Sequence, residues 1–594
     1  MKAYINNQPV AFEEGDTILA AARKAGVFIP TLCALLPIDH TPGTCRVCLV
    51  EIQDENSSKI TTACTTPIKD GMRIFTRTDA VRAMQKKQVQ WLFSDHDQNC
   101  GACPRHGDCE LQDAAAWVGL TENPDNGKLK TDRPYDDSAR ALVRDVSKCI
   151  RCSRCVEVCR QVQGLAALTI EGFGTQSGVG IAGAERWADS AKCVQCGQCT
   201  LVCPVGALSE KDEIDTAIGW FNNPAIKTVV AFAPAVRVTL GETFGMPLGT
   251  NAEKRIVTAL KNIGADYVCD INWAADVTIM EEGTELISRI QHGGKLPMMT
   301  SCCPGWINFV EKINPEVIPN LSTTRSPQAI FGALAKTYFA QKKNIDPKQL
   351  RFISVMPCTA KKDEAIRNQL KQNGLPDTDL VLTVREFARL LKMYGTDLSI
   401  LPESEFDSPV MSENTGAAVI FGATGGVMEA AVRTVHFVLT GKELGPVEFT
   451  AVRGMQWLKE ASLDLGAAGT VRIAVVHGLA NAQKLVDQIK AGTCPYHFIE
   501  VMACPGGCID GGGTPRVKGE YLTRAKKRLE GIYTIDKNRK MRQSHNNPDV
   551  QTLYKEFLGK PCSELSHHLL HTGYTNRKAE KKIIPVKDLL LSEE

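Results

Sequence analysis

The sequence predicts two textures joined in one chain: small α+β, cysteine-rich modules on the N-terminal side and a layered α/β domain on the C-terminal side. Two observations carry this. Fifteen of the 23 cysteines fall within residues 33–203. From about residue 224, apolar β-rich runs ("TVVAFAP", "RFISVMP", "RIAVVHG", "HFIEVMA") alternate with helical patterns ("TNAEKRIVTALKNIG", "VREFARLLKMYG"), as layered, largely parallel sheets require. A length of 594 residues leaves room for about three to five domains. With 43% apolar and 23% charged residues the chain can build a real core. Lys plus Arg is 69 against Asp plus Glu 67, so no basic excess points to nucleic acid. The first residues lack an apolar run flanked by basic residues, and no span of about 18 apolar residues follows. A cytoplasmic location with no membrane span is therefore expected. In a reducing cytosol, clustered cysteines point to metal ligands or catalytic thiols rather than disulfides.

Residues 1–78 open with strand patterns "KAYINN" and "QPVAF", then a helix "DTILAAARKAG" closed by Gly26. Cys33, Cys45, Cys48 and Cys64 follow, four thiols with a close middle pair on a small strand-rich domain, which suits a [2Fe–2S] cluster. The first gap is longer than the plant-type spacing. The region resembles the ferredoxin-like N-terminal domain of the large peripheral subunit of respiratory complex I. Residues 79–139 carry a helix "DAVRAMQKKQVQWLFSDH" and then His96, Cys100, Cys103 and Cys109. One imidazole among three thiolates holds either zinc or a [4Fe–4S] cube. Spacing leaves the two readings close, and the place between ferredoxin-like modules favours iron–sulfur. His106, inside that loop, reads as solvent-facing.

Residues 140–210 hold two CxxCxxCxxxC runs, "CIRCSRCVEVC" and "CVQCGQCTLVCP". Three thiolates on a tight loop hold one cube, and the fourth, on the following helix, reaches across to the other. The predicted sets are Cys149, Cys152, Cys155 with Cys203, and Cys193, Cys196, Cys199 with Cys159. Pro204 follows the second run; Arg160 stands in its place after the first. Residues 211–536 form the α/β domain, and three of its cysteine motifs start where a strand run ends, where such folds bind ligands. Residues 537–594 read as short helices wrapping the domain, followed by a basic run "NRKAEKK". His567, His568 and His571 have no Cys or carboxylate at regular spacing and do not read as a metal site.

The motifs "TSCCPGW" (300–306), "MPCTAKKDE" (356–364) and "EVMACPGGCIDGGG" (500–513), in that order behind that array, closely resemble the signature segments of the [FeFe]-hydrogenases. The resemblance covers essentially the whole chain. It implies reversible H2 oxidation and proton reduction at an H-cluster: a [4Fe–4S] cube joined to a diiron subcluster with CO, CN and a bridging dithiolate. One [2Fe–2S] and three accessory [4Fe–4S] clusters would relay electrons. By motif, the cube's ligands would be Cys303, Cys358, Cys504 and Cys508, with Cys508 bridging to the diiron unit. Lys361 would face an anionic ligand. Ala233, Pro234, Pro327, Gln328, Met356 and Met502 would line the pocket, and the flanking glycines would let backbone approach the cofactor. Many relatives have serine where this chain has Ala235, so one hydroxyl donor is missing.

The resemblance also implies opposite duties for the adjacent thiols: Cys303 binds the cube, and Cys302 exchanges protons, which a thiol of tunable pKa can do. "MEEGTELISR" puts Glu282, Glu285 and Arg289 on one helix face, and these positions with Ser322 match the family's proton path. Rival readings are an iron–sulfur scaffold protein, a hydrogen sensor and a complex I-type large subunit. The first lacks the cysteine doublet and lysine motif present here. The second carries added signalling domains, and the third continues into a molybdopterin-type domain. No GxGxxG follows a strand, so the chain itself should not bind NAD(P). Its expected partners beyond H2 and protons are a soluble ferredoxin or separate flavin/NAD(P) subunits in a hetero-oligomer.

Overall fold

The computed structural model describes residues 1–55, 57–122, 133–407, 410–445, 447–465, 469–516 and 523–578; the end of the basic run lies outside them. The first module is a five-stranded sheet in the order Gln8–Ala11, Lys2–Ile5, Arg73–Phe75, Leu49–Asp54, Ser57–Thr62. Across it packs the helix Ile18–Lys24, started by the Thr17 hydroxyl accepting from Ala20 N–H and followed by Gly26 in the left-handed region (φ 70°). The helix Asp79–Ser94 is likewise capped, by Thr78, and leads into the His96–Cys109 loop.

Residues 227–502 build two four-stranded sheets and a small two-stranded hairpin, Lys371–Gln372 with Leu375–Pro376. One is all parallel: Tyr267–Asp270, Lys227–Phe232, Leu350–Met356, Leu380–Thr383. The other orders Met298–Met299, Phe498–Met502, Thr470–His477 and Leu458–Asp464, parallel except for its last strand. Strands such as Phe498–Met502 are buried along their whole length, which is why they read as unbroken apolar runs. Each sheet has its own apolar core, where every fully buried Val, Leu, Ile or Phe contributes about 1.5–3 kcal/mol. The carboxyl ends of both sheets point to one place.

The ferredoxin module shares a core with this domain: Trp187 and Val194 pack in one cluster with Trp306, Phe309, Val476 and Ile499. Buried Glu210 at its last strand pairs with Arg385 at 2.6 Å and Arg389 at 3.0 Å; burial opposes its charge, but these guanidiniums hold its carboxyl well below the usual range. The two modules are therefore one packed body. One expectation changes: Cys203 sits one residue past the helix Gln198–Val202, as its C-cap, not on it. Pro204 follows, and it cannot continue a helix.

Candidate active site

Where the two sheets' strands end, a cavity opens between them. Ala233 and Pro234 reach it from the strand Lys227–Phe232, Met356, Cys358 and Lys361 from the strand Leu350–Met356, and Met502, Cys504 and Cys508 from the strand Phe498–Met502. Cys302 and Cys303 follow the short strand Met298–Met299, and Pro327 and Gln328 begin a helix capped by Ser326. Loops distant in sequence meet because parallel strands place their carboxyl ends side by side.

Cys303, Cys358, Cys504 and Cys508 stand close enough for a charge on one to disfavour a charge on the next. Burial pushes the Cys358 thiol up to about 12 and raises Cys504 and Cys508 as well. A thiol quartet, two members buried and two partly buried, with so little cationic support stays protonated until metal displaces the protons. That donor set fits an iron–sulfur cube, and the mostly apolar chamber beside it fits a compact cofactor held by few polar contacts. Gln328 Oε1 lies buried without a partner on the same wall.

Lys361 reaches the cavity, but its ammonium is already shared. It donates to Ser326 Oγ (2.7 Å), Glu364 Oε2 (2.8 Å) and the Cys302 carbonyl (3.3 Å). Lys361 thus reaches the cavity with Glu364 as its ion-pair partner. The glycines also meet neighbouring backbone. Gly507 and Gly511 line the cavity, yet a Cβ on Gly507 would lie 2.6 Å from Thr424 N, and one on Gly511 2.4 Å from the Pro357 carbonyl. A Cβ on Gly512 would lie 2.1 Å from the Cys196 carbonyl. These glycines admit neighbouring backbone, so the loops interlock.

Cys302 stands near Glu282; burial first, then Glu282, raises its thiol. Glu282 is fully buried, and burial next to Glu285 pushes its carboxyl to about 8, so it carries a proton at neutral pH. Ser322 lies beside it and donates to Glu285 Oε2 at 2.8 Å. A protonated Glu282 can donate to the Ser322 oxygen while Ser322 donates to Glu285. Glu285 pairs with Arg289 at 2.6 Å, both half-buried near the surface.

The accessory cysteines lie near one another. Cys33 contacts Cys45 and Cys64, and Cys48 contacts Cys64. Cys149, Cys152 and Cys155 each sense Cys203, whereas Cys159 senses Cys193 and Cys196 senses Cys159. His96 is buried with Nδ1 unpartnered, and burial lowers it to about 4, so it is a neutral ligand-ready imidazole. It shares its loop with Cys100, Cys103 and Cys109; His106 is exposed. Both outer modules meet the same ferredoxin half. His40 Nε2 lies 2.9 Å from the Cys152 carbonyl, and Arg105 donates to the Cys203 carbonyl at 2.8 Å. At the other end Cys196 senses Cys358, and Cys504 senses Cys196.

Sequence reasoning missed Glu281, Cys562 and His571, whose ligand-type atoms lie within 4.8 Å of one another. The only trace was the histidine run in the tail. The Lys361–Glu364 pair was visible at i, i+3.

Thiol-lined loops in a ferredoxin array that abuts a thiol-lined chamber, with a carboxyl chain leaving its far side, define an iron–sulfur oxidoreductase that handles protons. Family models bring this to one family: "Iron only hydrogenase large subunit, C-terminal domain" matches residues 226–512, and "Iron hydrogenase small subunit" matches 522–577. Further matches are a 2Fe-2S cluster binding domain (1–79), the NADH-ubiquinone oxidoreductase-G iron-sulfur binding region (85–124) and a 4Fe-4S dicluster domain (148–207). The chain is 43% identical to the NADP-reducing hydrogenase subunit HndD of Solidesulfovibrio fructosivorans, over 97% of this chain and 98% of that one. It is 40% identical to iron hydrogenase 1 of Clostridium pasteurianum, over 96% and 99%. A variant of the [FeFe]-hydrogenase HydA1 from Chlamydomonas reinhardtii superposes with TM-score 0.56 at 36% identity, over 62% of this chain and all of that one. The chain belongs to the iron-only, or [FeFe]-, hydrogenase family and is a hydrogenase with N-terminal iron–sulfur modules. Among the described residues no helix is long and apolar enough to cross a membrane.

Proposed function

We propose that the enzyme interconverts H2 with protons and electrons at an H-cluster held by Cys303, Cys358, Cys504 and Cys508, with Cys508 shared with a diiron subcluster bearing CO, CN and a bridging dithiolate. When bound, that group supplies the centre at which H2 is split or formed and electrons are exchanged. The observation that carries the reading is one cavity that gathers four buried or partly buried thiols and also a fifth, Cys302, facing a protonated carboxyl. Cys302 passes protons between the cavity and Glu282, and Ser322 and Glu285 continue to the surface beside Arg289. Ala233, Pro234, Pro327, Gln328, Met356 and Met502 shape the chamber and exclude bulk water, and Lys361 steadies the Cys302 backbone. A [2Fe–2S] cluster at Cys33/Cys45/Cys48/Cys64 and a [4Fe–4S] cube at His96/Cys100/Cys103/Cys109 feed the cubes at Cys149/Cys152/Cys155/Cys203 and Cys193/Cys196/Cys199/Cys159.

The domain division is 1–78, 79–139, 140–210, 211–536 and 537–594. The forked N-terminal modules and the name of the relative from Solidesulfovibrio support a separate flavin/NAD(P) subunit as electron partner in the cytoplasm, with a ferredoxin as the simpler alternative. Anaerobically matured protein should contain iron for one [2Fe–2S], four [4Fe–4S] and a diiron pair, and show CO and CN infrared bands. Absence of those bands after loading a synthetic diiron cofactor sinks the reading, and stoichiometric zinc sinks the His96 assignment.

A further inference from the structure

The helix Ile271–His292 carries two consecutive glutamates with different surroundings. Glu282 faces Ser322 and Cys302; Glu281 is buried against the C-terminal stretch. Glu281 Oε1 accepts from Tyr554 OH (2.6 Å) and Ser566 Oγ (2.5 Å), and Oε2 accepts from the Cys562 N–H (2.7 Å) and pairs with His571 Nε2 (3.1 Å). Burial opposes the charge, but these contacts outweigh it and hold the Glu281 carboxyl below its usual range. With the Nε2 proton directed at Glu281, His571 Nδ1 is left to accept from Thr323 Oγ1 at 2.8 Å. The Thr323 N–H in turn donates to both oxygens of Glu285, at 3.0 and 3.2 Å.

Glu281, Cys562 and His571 have the look of a metal site. The donors argue against it: a carboxylate offers about four acceptor positions, and four contacts already fill them. The cluster is a grip. Its other hand is on residues 321–325, which carry Ser322. That loop is bridged to Met299 on one side and His571 on the other. Arg325 N–H donates to the Leu570 carbonyl, Thr572 N–H to the Thr323 carbonyl and Tyr574 OH to the Ser322 carbonyl, each at 2.8 Å. Every gripping residue from Tyr554 to Tyr574 falls in the stretch matched by the iron hydrogenase small subunit.

We infer that Glu281 and His571 are positioning residues for proton transfer: the C-terminal segment holds Glu281 and Thr323 at once and so keeps Ser322 and Glu285 in line with Glu282. The inference rests on the proton path proposed above. Proton transfer needs donor and acceptor within about 2.6–3.2 Å, a tolerance that an irregular loop does not keep unaided.

The test uses the full-length matured enzyme with a viologen dye, so that no protein partner is involved. His571→Ala should exchange the amide hydrogens of 322–325 at least about tenfold faster, and lower H2 production per infrared-counted cofactor by about tenfold with a larger solvent isotope effect. His571→Asn keeps an acceptor near the Nδ1 position and should recover much of both. Thr323→Val removes only one hydroxyl and should repeat the His571→Ala result if that variant fails to mature. Glu282→Gln is the control: parent turnover there defeats the proton path itself. If Glu282→Gln collapses while His571→Ala and Thr323→Val keep the parent rate and isotope effect, the positioning role alone is wrong. Stoichiometric zinc in the parent that disappears in His571→Ala would also overturn it, in favour of a metal site.

Discussion

The wall of the cavity facing the ferredoxin module and the wall facing the helix Ile271–His292 are made of different materials. On the first, backbone presses on backbone: a Cβ on Gly197 would lie 3.1 Å from Gly512 Cα, and Thr359 Oγ1 donates to the Gln195 carbonyl at 2.6 Å. Across this wall Cys504 senses Cys196, and Cys196 senses Cys358. On the second, buried carboxyls and a hydroxyl stand in a row. Electrons tunnel through tightly packed matter and need no titratable group; protons move only along groups that can hold and release them. On the proposed reading, one cavity serves two carriers through two walls.

Changes to the thiols should break this comparison most severely. Cys303→Ala removes a proposed cube ligand, so the infrared signature and all turnover should be lost. Cys302→Ala should keep the signature yet cut turnover by about 10²–10⁴-fold, and Cys302→Asp should restore part of it with a shifted pH optimum. Parent turnover in Cys302→Ala would show that protons use another way.

A pH series sharpens the proton side. Glu282 binds a proton in the folded protein up to about pH 8, against a usual value of 4.5. Below about 8 it can donate, so H2 production should decline as pH rises through that value. The same raised value means that the unfolded chain releases this proton first. The group therefore opposes folding increasingly from about pH 4.5 to 8, and Glu282→Gln should flatten the fall in apoprotein melting temperature across that window. An unchanged melting profile would place Glu282 in a wetter setting than the structure shows.

Smaller effects belong to the electron side. Gly512→Ala forces a Cβ onto the Cys196 carbonyl and should cost about 1–3 kcal/mol, with a few-fold slower reduction of the H-domain cube through the ferredoxin module. His96→Ala should slow reaction with the natural partner while leaving viologen-driven activity nearly intact, because His96 lies at an outer branch. Equal loss of both activities would mean that the branch is needed for folding.

What the sequence showed and hid follows from the range of each interaction. Iron–sulfur ligands sit on tight loops, so Cys149 to Cys159 and Cys193 to Cys203 could be grouped from spacing, and the buried parallel strands were readable as apolar runs. The face shared by Glu282 and Glu285 follows from helical period. The meeting of Glu281 with His571, 290 residues away, depends on tertiary packing, and nothing local in either segment announces it. The glycines of residues 506–513 were noticed for their freedom; what fills the space beside them is set by loops from 196, 357 and 424. Of the Lys361 contacts, the one to Glu364 is within reach of helical spacing, whereas the one to Ser326 comes from another element and has no local signal.

Glu282→Gln in matured enzyme tests the separation of the two walls most directly, because Gln keeps the shape and removes the transferable proton. Rapid-mixing spectroscopy should show the proposed cube at Cys303, Cys358, Cys504 and Cys508 reduced from the accessory clusters at the parent rate, with CO and CN bands in place, while H2 production falls at least about a hundredfold. Parent H2 production, or a cube reduction slowed in equal measure, would contradict the account.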